Sequence, residues 1–165
     1  MPREKFEAAS ELKDGELMPC VSPLGYAAKK MGVKEVLMRK GVKADTRFDF
    51  AELFFKDNFE TSLAEDEAKE LGIDTALEAV RLAPSAVNKQ PWRVVITKDG
   101  AHFYEKKSRG YDNGTYDLQK IDMGIALYHF ERECKESNKS VEYKVCDPGI
   151  SLLENMDYIG SYMWN

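Results

Sequence analysis

The segment Leu77–Arg93 restricts the fold of this chain more than any other part of the sequence. Apolar residues spaced at the helical period predict a helix over about residues 75–82. Pro84 ends that helix, because proline lacks the amide hydrogen that an interior position donates. A second proline, Pro91, opens a β-branched stretch that predicts a strand. The segment is therefore expected to be a helix and a strand, joined by a loop with a proline at each end.

The loop between the two prolines carries short side chains and backbone N–H groups at a fixed place in the fold. Such a surface suits a flat ligand that forms hydrogen bonds. An ordinary connection between a helix and a strand has a similar composition, because turn-forming residues are common in loops. The residues alone leave both interpretations open.

A β-hairpin is predicted around Asp99-Gly100, a dipeptide that favours tight turns between strands. The β-branched residues 93–97 precede this turn, and residues 101–104 follow it. Residues 141–145 alternate between apolar and polar side chains, which predicts a further strand. The tail from Cys146 onward contains a Pro-Gly turn signal, and we expect it to be a loop or an arm at an interface.

Two more helices follow from apolar spacing. One covers residues 33–40, where apolar side chains recur at i, i+3 and i+4. The other covers residues 118–136 and is apolar almost all round, so Ile125 and Tyr128 are expected to be buried in a central helix. Residues 18–21 form a candidate short strand, limited by its proline.

The composition is that of an ordinary globular protein. The 165 residues suffice for one domain that buries about two-thirds of its unfolded surface. A hydrophobic fraction of 43% and a charged fraction of 32% argue against disorder and against a membrane protein. The formal charge of −5 provides no overall field that attracts nucleic acid. We expect a single domain over residues 1–165, with neither a nucleic acid nor a membrane as partner.

The cysteines and histidines exclude several kinds of site. Cys20, Cys134 and Cys146 are odd in number, widely spaced and without a CxxC motif, which predicts reduced thiols in a cytoplasmic protein and no metal site. The N-terminus lacks the apolar stretch of a signal peptide. His102 and His129 have no serine or cysteine near them in a triad-like arrangement, so both are expected to be structural.

Residues 78–93 read E-A-x-R-L-A-P-S-A-x-N-x-Q-P-W-R and resemble the flavin-contacting motif of the nitroreductase family. In that family the P-S-x-x-N loop lies against the isoalloxazine ring of FMN, which is often bound by the partner subunit. A second stretch, Asp122–Leu127, is similar to the D-x-G-I-A helix that lies at the dimer interface of the family. There Gly124 would permit the close approach of another helix.

The resemblance implies roles for five residues of the loop. Pro84, Ser85 and Ala86 would line the flavin ring. Asn88 and Gln90 would form hydrogen bonds or hold the shape of the loop. No side chain is expected to be catalytic, because the flavin itself carries the hydride.

A third match concerns the phosphate of FMN. Leu24–Tyr26, followed by Phe50–Leu53, resembles the family pattern L-G-Y-P … R-x-P-x-E-E-L, where a basic residue reaches the phosphate. On this alignment Arg47 is the first candidate and Lys43 the second. Residues 39–43 also resemble the R-R-S-V-R opener of the family, with glycine in place of serine, but the first alignment is preferred because motifs on both sides support it. Both alignments place a basic cluster near the phosphate, as charge-assisted hydrogen bonds require.

The motif order differs from the common family order, because the L-G-Y-P pattern precedes the P-S-x-x-N loop. This order resembles a nitroreductase subgroup with rearranged motifs, whose members also carry an N-terminal R-R-S-type opener and a G-L-G-x-C-W segment. Neither element is identifiable here, so we expect the chain to be the C-terminal portion of a longer protein. We also expect it to bind FMN weakly, and a version extended upstream to bind FMN tightly.

The resemblance implies an α+β fold, with a mixed, mostly antiparallel sheet packed by helices around a central buried helix, in a homodimer. The implied activity is transfer of electrons from NAD(P)H through FMN to a small-molecule acceptor such as a nitroaromatic or a quinone. The alternative is a truncated, non-catalytic fragment that binds no flavin alone and acts only by pairing with another subunit.

Overall fold

The computed structural model describes residues 3–16, 18, 21–22, 24–26, 29–112 and 117–164. It divides into two compact units, residues 1–36 and residues 37–165. The first unit contains helix α1 (Arg3–Ala9), and helix α2 (Val33–Gly41) includes the boundary at residue 36. Helix α2 confirms the helix predicted over 33–40. The single domain over 1–165 stays a prediction, and the candidate strand at 18–21 includes residues outside the described ones.

The second unit is built on a five-stranded sheet with the spatial order β1-β2-β3-β5-β4. The strands are β1 (Phe54–Lys56), β2 (Trp92–Ile96), β3 (Gly100–Lys106), β4 (Val141–Lys144) and β5 (Met156–Trp164). Strands β1 and β2 are parallel, whereas the other neighbours are antiparallel. The predicted α+β fold with a mixed, mostly antiparallel sheet is therefore confirmed.

Four helices accompany this sheet: α3 (Phe50–Leu53), α4 (Glu65–Glu70), α5 (Asp74–Leu82) and α6 (Leu118–Glu136). Helices α5 and α6 contribute to the main core, where Leu77, Val80 and Met123 are fully buried with Phe103 of the sheet. Burying such a side chain stabilises the fold by about 1.5–3 kcal/mol. Helix α5 confirms the helix predicted over 75–82. No helix in the described part of the chain is long and apolar enough to span a membrane.

The predicted hairpin is confirmed by the pairing of β2 with β3 across Asp99-Gly100. The register runs from Trp92 opposite Glu105 to Ile96 opposite Ala101. A Cβ atom on Gly100 would lie 2.4 Å from the carbonyl oxygen of Tyr162 in β5. Glycine is therefore required where β3 passes close to β5.

Strand β5 is the largest difference from the sequence prediction. The tail after Cys146 was expected to be a loop or an interface arm, which is wrong for Met156–Trp164, because this segment lies between β3 and β4. Gly160 and Ser161 interrupt its apolar alternation, and the pairing with β3 shifts register between Phe103 and Tyr104. The irregular pairing accommodates these small residues within the sheet. Because they break the alternation, the residue pattern of this segment does not predict a strand.

Helix α6 has the predicted bounds, and its burial is confined to one side. Met123 and Phe130 are fully buried, whereas Ile121 and Tyr128 are 40% and 63% exposed. The prediction that helix α6 is buried on all sides is thus wrong for the single chain. A Cβ atom on Gly124 would meet nothing within 4 Å, so no helix of the described residues approaches closely there. Burial of Tyr128 against a partner chain stays a prediction.

Candidate functional site

The backbone of the loop after α5 adopts an unusual conformation. The chain leaves the helix extended at Ala83 and forms a 3-10 turn over Ala86–Asn88. Val87, Asn88 and Gln90 have φ angles of 43°, 58° and 48°, in the left-handed region that non-glycine residues rarely adopt. Each such residue stores up to about 1–3 kcal/mol, which is tolerated only where surrounding contacts hold the backbone. We call residues 84–90 the motif loop.

Asp122 on α6 holds the first half of the motif loop. Both carboxylate oxygens accept a hydrogen bond from the backbone N–H of Ala86, at 3.0 and 3.1 Å. Burial raises the pKa of the Asp122 carboxyl, and the Ala86 N–H partly offsets this effect by stabilising the charged form. Asp122 belongs to the D-x-G-I-A stretch, but its contact with the motif loop was not anticipated from the sequence.

Gln90 holds the second half of the motif loop. Its Oε1 atom accepts from the backbone N–H of Phe48 at 2.9 Å, and its Nε2 atom donates to the Asn88 carbonyl at 3.3 Å. Its own backbone N–H donates to Ser85 Oγ at 2.8 Å. The Gln90 side chain is almost completely buried, so these bonds fix the loop from within.

Asn88 joins the motif loop to the segment 43–47. Its Nδ2 atom donates to the carbonyl oxygens of Lys43, at 2.7 Å, and Thr46, at 3.0 Å. Its Oδ1 atom accepts from Arg47 Nη1 at 3.3 Å. The two segments that the sequence predicted to share one site are therefore in direct contact, although they lie some forty residues apart.

Arg47 is surrounded by carbonyl oxygens. Its Nη1 atom donates to the carbonyls of Ala44 at 3.1 Å and Thr46 at 2.9 Å. Its Nε and Nη2 atoms both donate to the Leu82 carbonyl at the end of α5, at 3.3 and 3.2 Å. These accepting carbonyl oxygens carry no formal charge and do not neutralise the guanidinium, whose N–H groups hold two segments together. Lys43, the other phosphate candidate, contributes its carbonyl, and its side chain is exposed.

A groove of about 660 Å³ lies between the motif loop and the segment 38–47, within the usual range of ligand pockets. Apolar and charged side chains share its walls. It is lined by Met38, Arg39, Val42, Ala44, Asp45, Arg47, Leu82, Pro84, Ser85, Val87 and Asn88. Of the seven predicted cofactor residues, Arg47, Pro84, Ser85 and Asn88 line the groove, and Lys43, Ala86 and Gln90 do not. No sequence pattern pairs Arg39 with Asp45.

Comparison with known families identifies the chain. Residues 1–133 match the family described as "Putative TM nitroreductase". The chain belongs to this nitroreductase family. No curated protein and no solved structure matches it. The matched residues include the segment 43–47, the motif loop and Asp122, so the family assignment covers the whole groove and indicates an oxidoreductase.

The described part of this nitroreductase-family chain also contains a serine–histidine contact, which the sequence analysis did not expect. His102 Nδ1 lies 2.7 Å from Ser161 Oγ, and Nε2 lies 2.9 Å from Thr97 Oγ1. Ser161 belongs to the unpredicted strand β5, so this contact has no local sequence signal; the second ring nitrogen meets Thr97 rather than a carboxylate, so the arrangement is not that of a catalytic triad. Burial lowers the pKa of the His102 imidazole. Since His102 and Ser161 are both buried within the sheet, a structural role still fits this pair.

Metal ligands form no cluster among the residues that the structure describes. No group of three or more histidine, cysteine, aspartate or glutamate side chains there could hold a metal ion. The charged side chains that line the groove are those of Arg39, Arg47 and Asp45.

Proposed function

We propose that this chain is a flavin-dependent oxidoreductase, which transfers electrons from NAD(P)H through FMN to an acceptor such as a nitroaromatic or a quinone. The observation that carries this proposal is the contact of the motif loop with the segment 43–47, which creates one groove from two family motifs. An ordinary helix-to-strand connection does not require left-handed residues that are held by side chains. In the motif loop, Asn88, Gln90 and Asp122 hold such residues in place.

The groove residues fit FMN, which combines a flat ring system with a phosphate dianion. Apolar side chains of Leu82, Pro84 and Val87 offer a surface for the ring, and the guanidinium group of Arg47 offers positive charge for the phosphate. In this proposal Pro84, Ser85 and Ala86 lie against the ring. Asn88 and Gln90 hold the loop, and Arg47 with Lys43 provides charge toward the phosphate.

In this proposal the residues of the chain bind and orient the cofactor and do not carry out the hydride transfer themselves. Bound FMN supplies the hydride chemistry, so the protein has to place the ring, balance its charge and leave one ring face open. The Ser85 hydroxyl accepts a hydrogen bond from Gln90 and still has its own proton to donate. Ser85 is therefore the side chain of the motif loop best suited to contact a polar edge of the ring.

Leu82→Glu tests the groove as the flavin site. Leu82 is 51% exposed, so the new carboxylate can be solvated without unfolding α5, yet it brings negative charge to the groove. We expect FMN affinity to fall roughly tenfold or more, because like charges repel at short range. Fluorescence titration with FMN and flavin content per protomer measure this effect.

Leu153→Glu is the matched control, because Leu153 is 50% exposed and does not line the groove. It should retain the affinity of the unmodified chain. Equal losses in both variants would contradict the placement of flavin in the groove. Absence of flavin binding in the unmodified chain would favour the alternative of a non-catalytic fragment that pairs with another subunit.

The proposal includes a homodimer, formed through the exposed side of α6. Ile121, Gly124 and Tyr128 lie on this side and leave an apolar surface with room for another chain. Aromatic side chains such as Tyr128 are enriched at interfaces. Because the family motif loop often contacts a flavin of the partner subunit, dimerisation would complete the cofactor site.

Tyr128→Glu is expected to convert the dimer into monomers, since a carboxylate buried without a partner is costly at an interface. Sedimentation velocity at several concentrations measures the change. Val145→Glu, at another exposed apolar position, is the control and should remain dimeric. A dimer that persists in Tyr128→Glu would show that this side of α6 is not the interface.

A further inference from the structure

We propose that Arg39 binds the anionic group of the groove ligand, and that Asp45 is the internal counter-ion which this group displaces. This inference rests on the proposed function, because the anion would be the phosphate of FMN. On the preferred alignment the sequence predicts this role for Arg47 and Lys43, whereas Arg39 belongs to the alternative alignment over residues 39–43.

Arg39 and Asp45 form an ion pair inside the groove. Arg39 Nη2 contacts Asp45 Oδ1, and both residues line the groove. Their side chains are 41% and 79% exposed, so solvent screens the attraction between them. An exposed pair of this kind contributes little to stability. Arg39 and Asp45 can therefore separate at a low cost in free energy when a more highly charged anion binds Arg39.

Arg47 is less available to a ligand than Arg39. Its guanidinium donates to the carbonyls of Leu82, Ala44 and Thr46, in addition to Asn88. Binding of a phosphate by those N–H groups would break the bonds that hold the motif loop to the segment 43–47. In the described part of the chain, the one hydrogen-bond partner of the Arg39 guanidinium is Asp45. Arg47 is thus a positioning residue whose charge adds to the local field.

The backbone around Arg39 permits the exchange without a larger movement. The turn after α2 is fixed by hydrogen bonds from Val42 N–H to the Met38 carbonyl at 3.0 Å and from Ala44 N–H to the Arg39 carbonyl at 2.9 Å. Arg39 and Asp45 therefore lie on either side of a hydrogen-bonded turn. Rotation of their side chains alone can open the pair.

The chemistry of the exchange favours a phosphate monoester. A dianion carries more charge than the Asp45 carboxylate and presents several oxygens to a guanidinium. The Asp45 carboxylate, once released, stays beside the bound phosphate and repels it. Asp45 thus reduces affinity for every phosphate ligand, and the groove binds FMN less tightly than its two arginines alone would allow.

The test compares FMN with riboflavin, which lacks the phosphate. Dissociation constants are measured by fluorescence titration for the unmodified chain, Arg39→Gln, Asp45→Asn and the control Lys40→Gln, whose exposed side chain lies outside the groove lining. Arg39→Gln should weaken FMN binding roughly tenfold or more and leave riboflavin unchanged. Asp45→Asn should tighten FMN binding several-fold, again without an effect on riboflavin.

Two outcomes would overturn the proposal: equal losses of FMN affinity in Arg39→Gln and Lys40→Gln, or parallel changes for FMN and riboflavin. If the unmodified chain binds neither flavin, the proposed function fails separately. The anion site is then tested by titration with inorganic phosphate, followed through the NMR signal of the Arg39 Nε–H group. A signal that moves with phosphate, and moves further in Asp45→Asn, supports the site, and a signal that does not move excludes it.

Discussion

Asn88→Ala is expected to lower the free energy of unfolding by about 2–4 kcal/mol, since it removes two donated hydrogen bonds and one accepted from a guanidinium. The carbonyls of Lys43 and Thr46 and one Arg47 N–H group lose their shared partner. Asparagine also tolerates the φ angle of 58° at this position better than alanine does. Urea denaturation measures the loss of stability.

Asn155→Ala is the matched control for the backbone contribution. Asn155 has a φ angle of 60° and an exposed side chain, so its replacement carries the same conformational penalty outside the groove. The difference between the two variants isolates the hydrogen bonds of Asn88. Equal destabilisation of both would show that the Asn88 amide does not hold the motif loop.

Glu105→Gln is expected to remove much of the pH dependence of stability between about pH 4.5 and pH 7. Glu105 lies fully buried on β3, and its Oε2 atom is 3.6 Å from Lys120 Nζ at the start of α6. Burial raises the pKa of the Glu105 carboxyl from 4.5 to about 7, with a further contribution from Asp117, while Lys120 and Lys107 act in the opposite direction. The folded chain thus keeps a proton that the unfolded chain has released in this window.

The free energy of unfolding depends on pH because the folded chain binds more protons at Glu105 than the unfolded chain does. The free energy of unfolding falls as the pH rises from the unfolded pKa to the folded pKa, on the order of 1–3 kcal/mol in total, and then levels off. Glutamine has a similar size and no charge, so Glu105→Gln should match the unmodified chain near pH 4.5 and exceed its stability at pH 8.

Urea denaturation at pH 4.5, 6 and 8 measures the effect for both chains. The exposed Glu154→Gln variant is the control and should follow the unmodified chain at each pH. The buried Asp122 carboxyl adds a pH dependence of its own, which is common to all three chains and cancels in their differences. A constant stability difference between Glu105→Gln and the unmodified chain over this range would contradict the prediction.

Local sequence patterns predicted the elements that are formed by local interactions. Helix α6 has its predicted bounds, and the β2–β3 hairpin surrounds the predicted Asp99-Gly100 turn. In both cases the signal lies within a few residues of the element. Strand β5 has no such signal, because its place is set by pairing with β3 and β4 rather than by its own periodicity.

The candidate site shows the same division. The motif loop was recognised from its residues, and its proximity to Arg47 was inferred from the family pattern. The use of the Arg47 N–H groups by carbonyls could not be predicted, since it depends on where α5 ends relative to the segment 43–47. The ion pair of Arg39 with Asp45 likewise requires the turn after α2, which no sequence motif specifies.

The residues that hold the motif loop in place lie far from it in the sequence. Residues 84–90 are held by Lys43 and Thr46 on one side of the sequence and by Asp122 on the other, with separations of some thirty-five to forty-five residues. Each such contact closes a long loop at an entropic cost, so we expect the groove to be completed late in folding. A ligand that binds there selects the fully folded unit, and by mass action it stabilises α5, α6 and the segment 43–47 together rather than the loop alone.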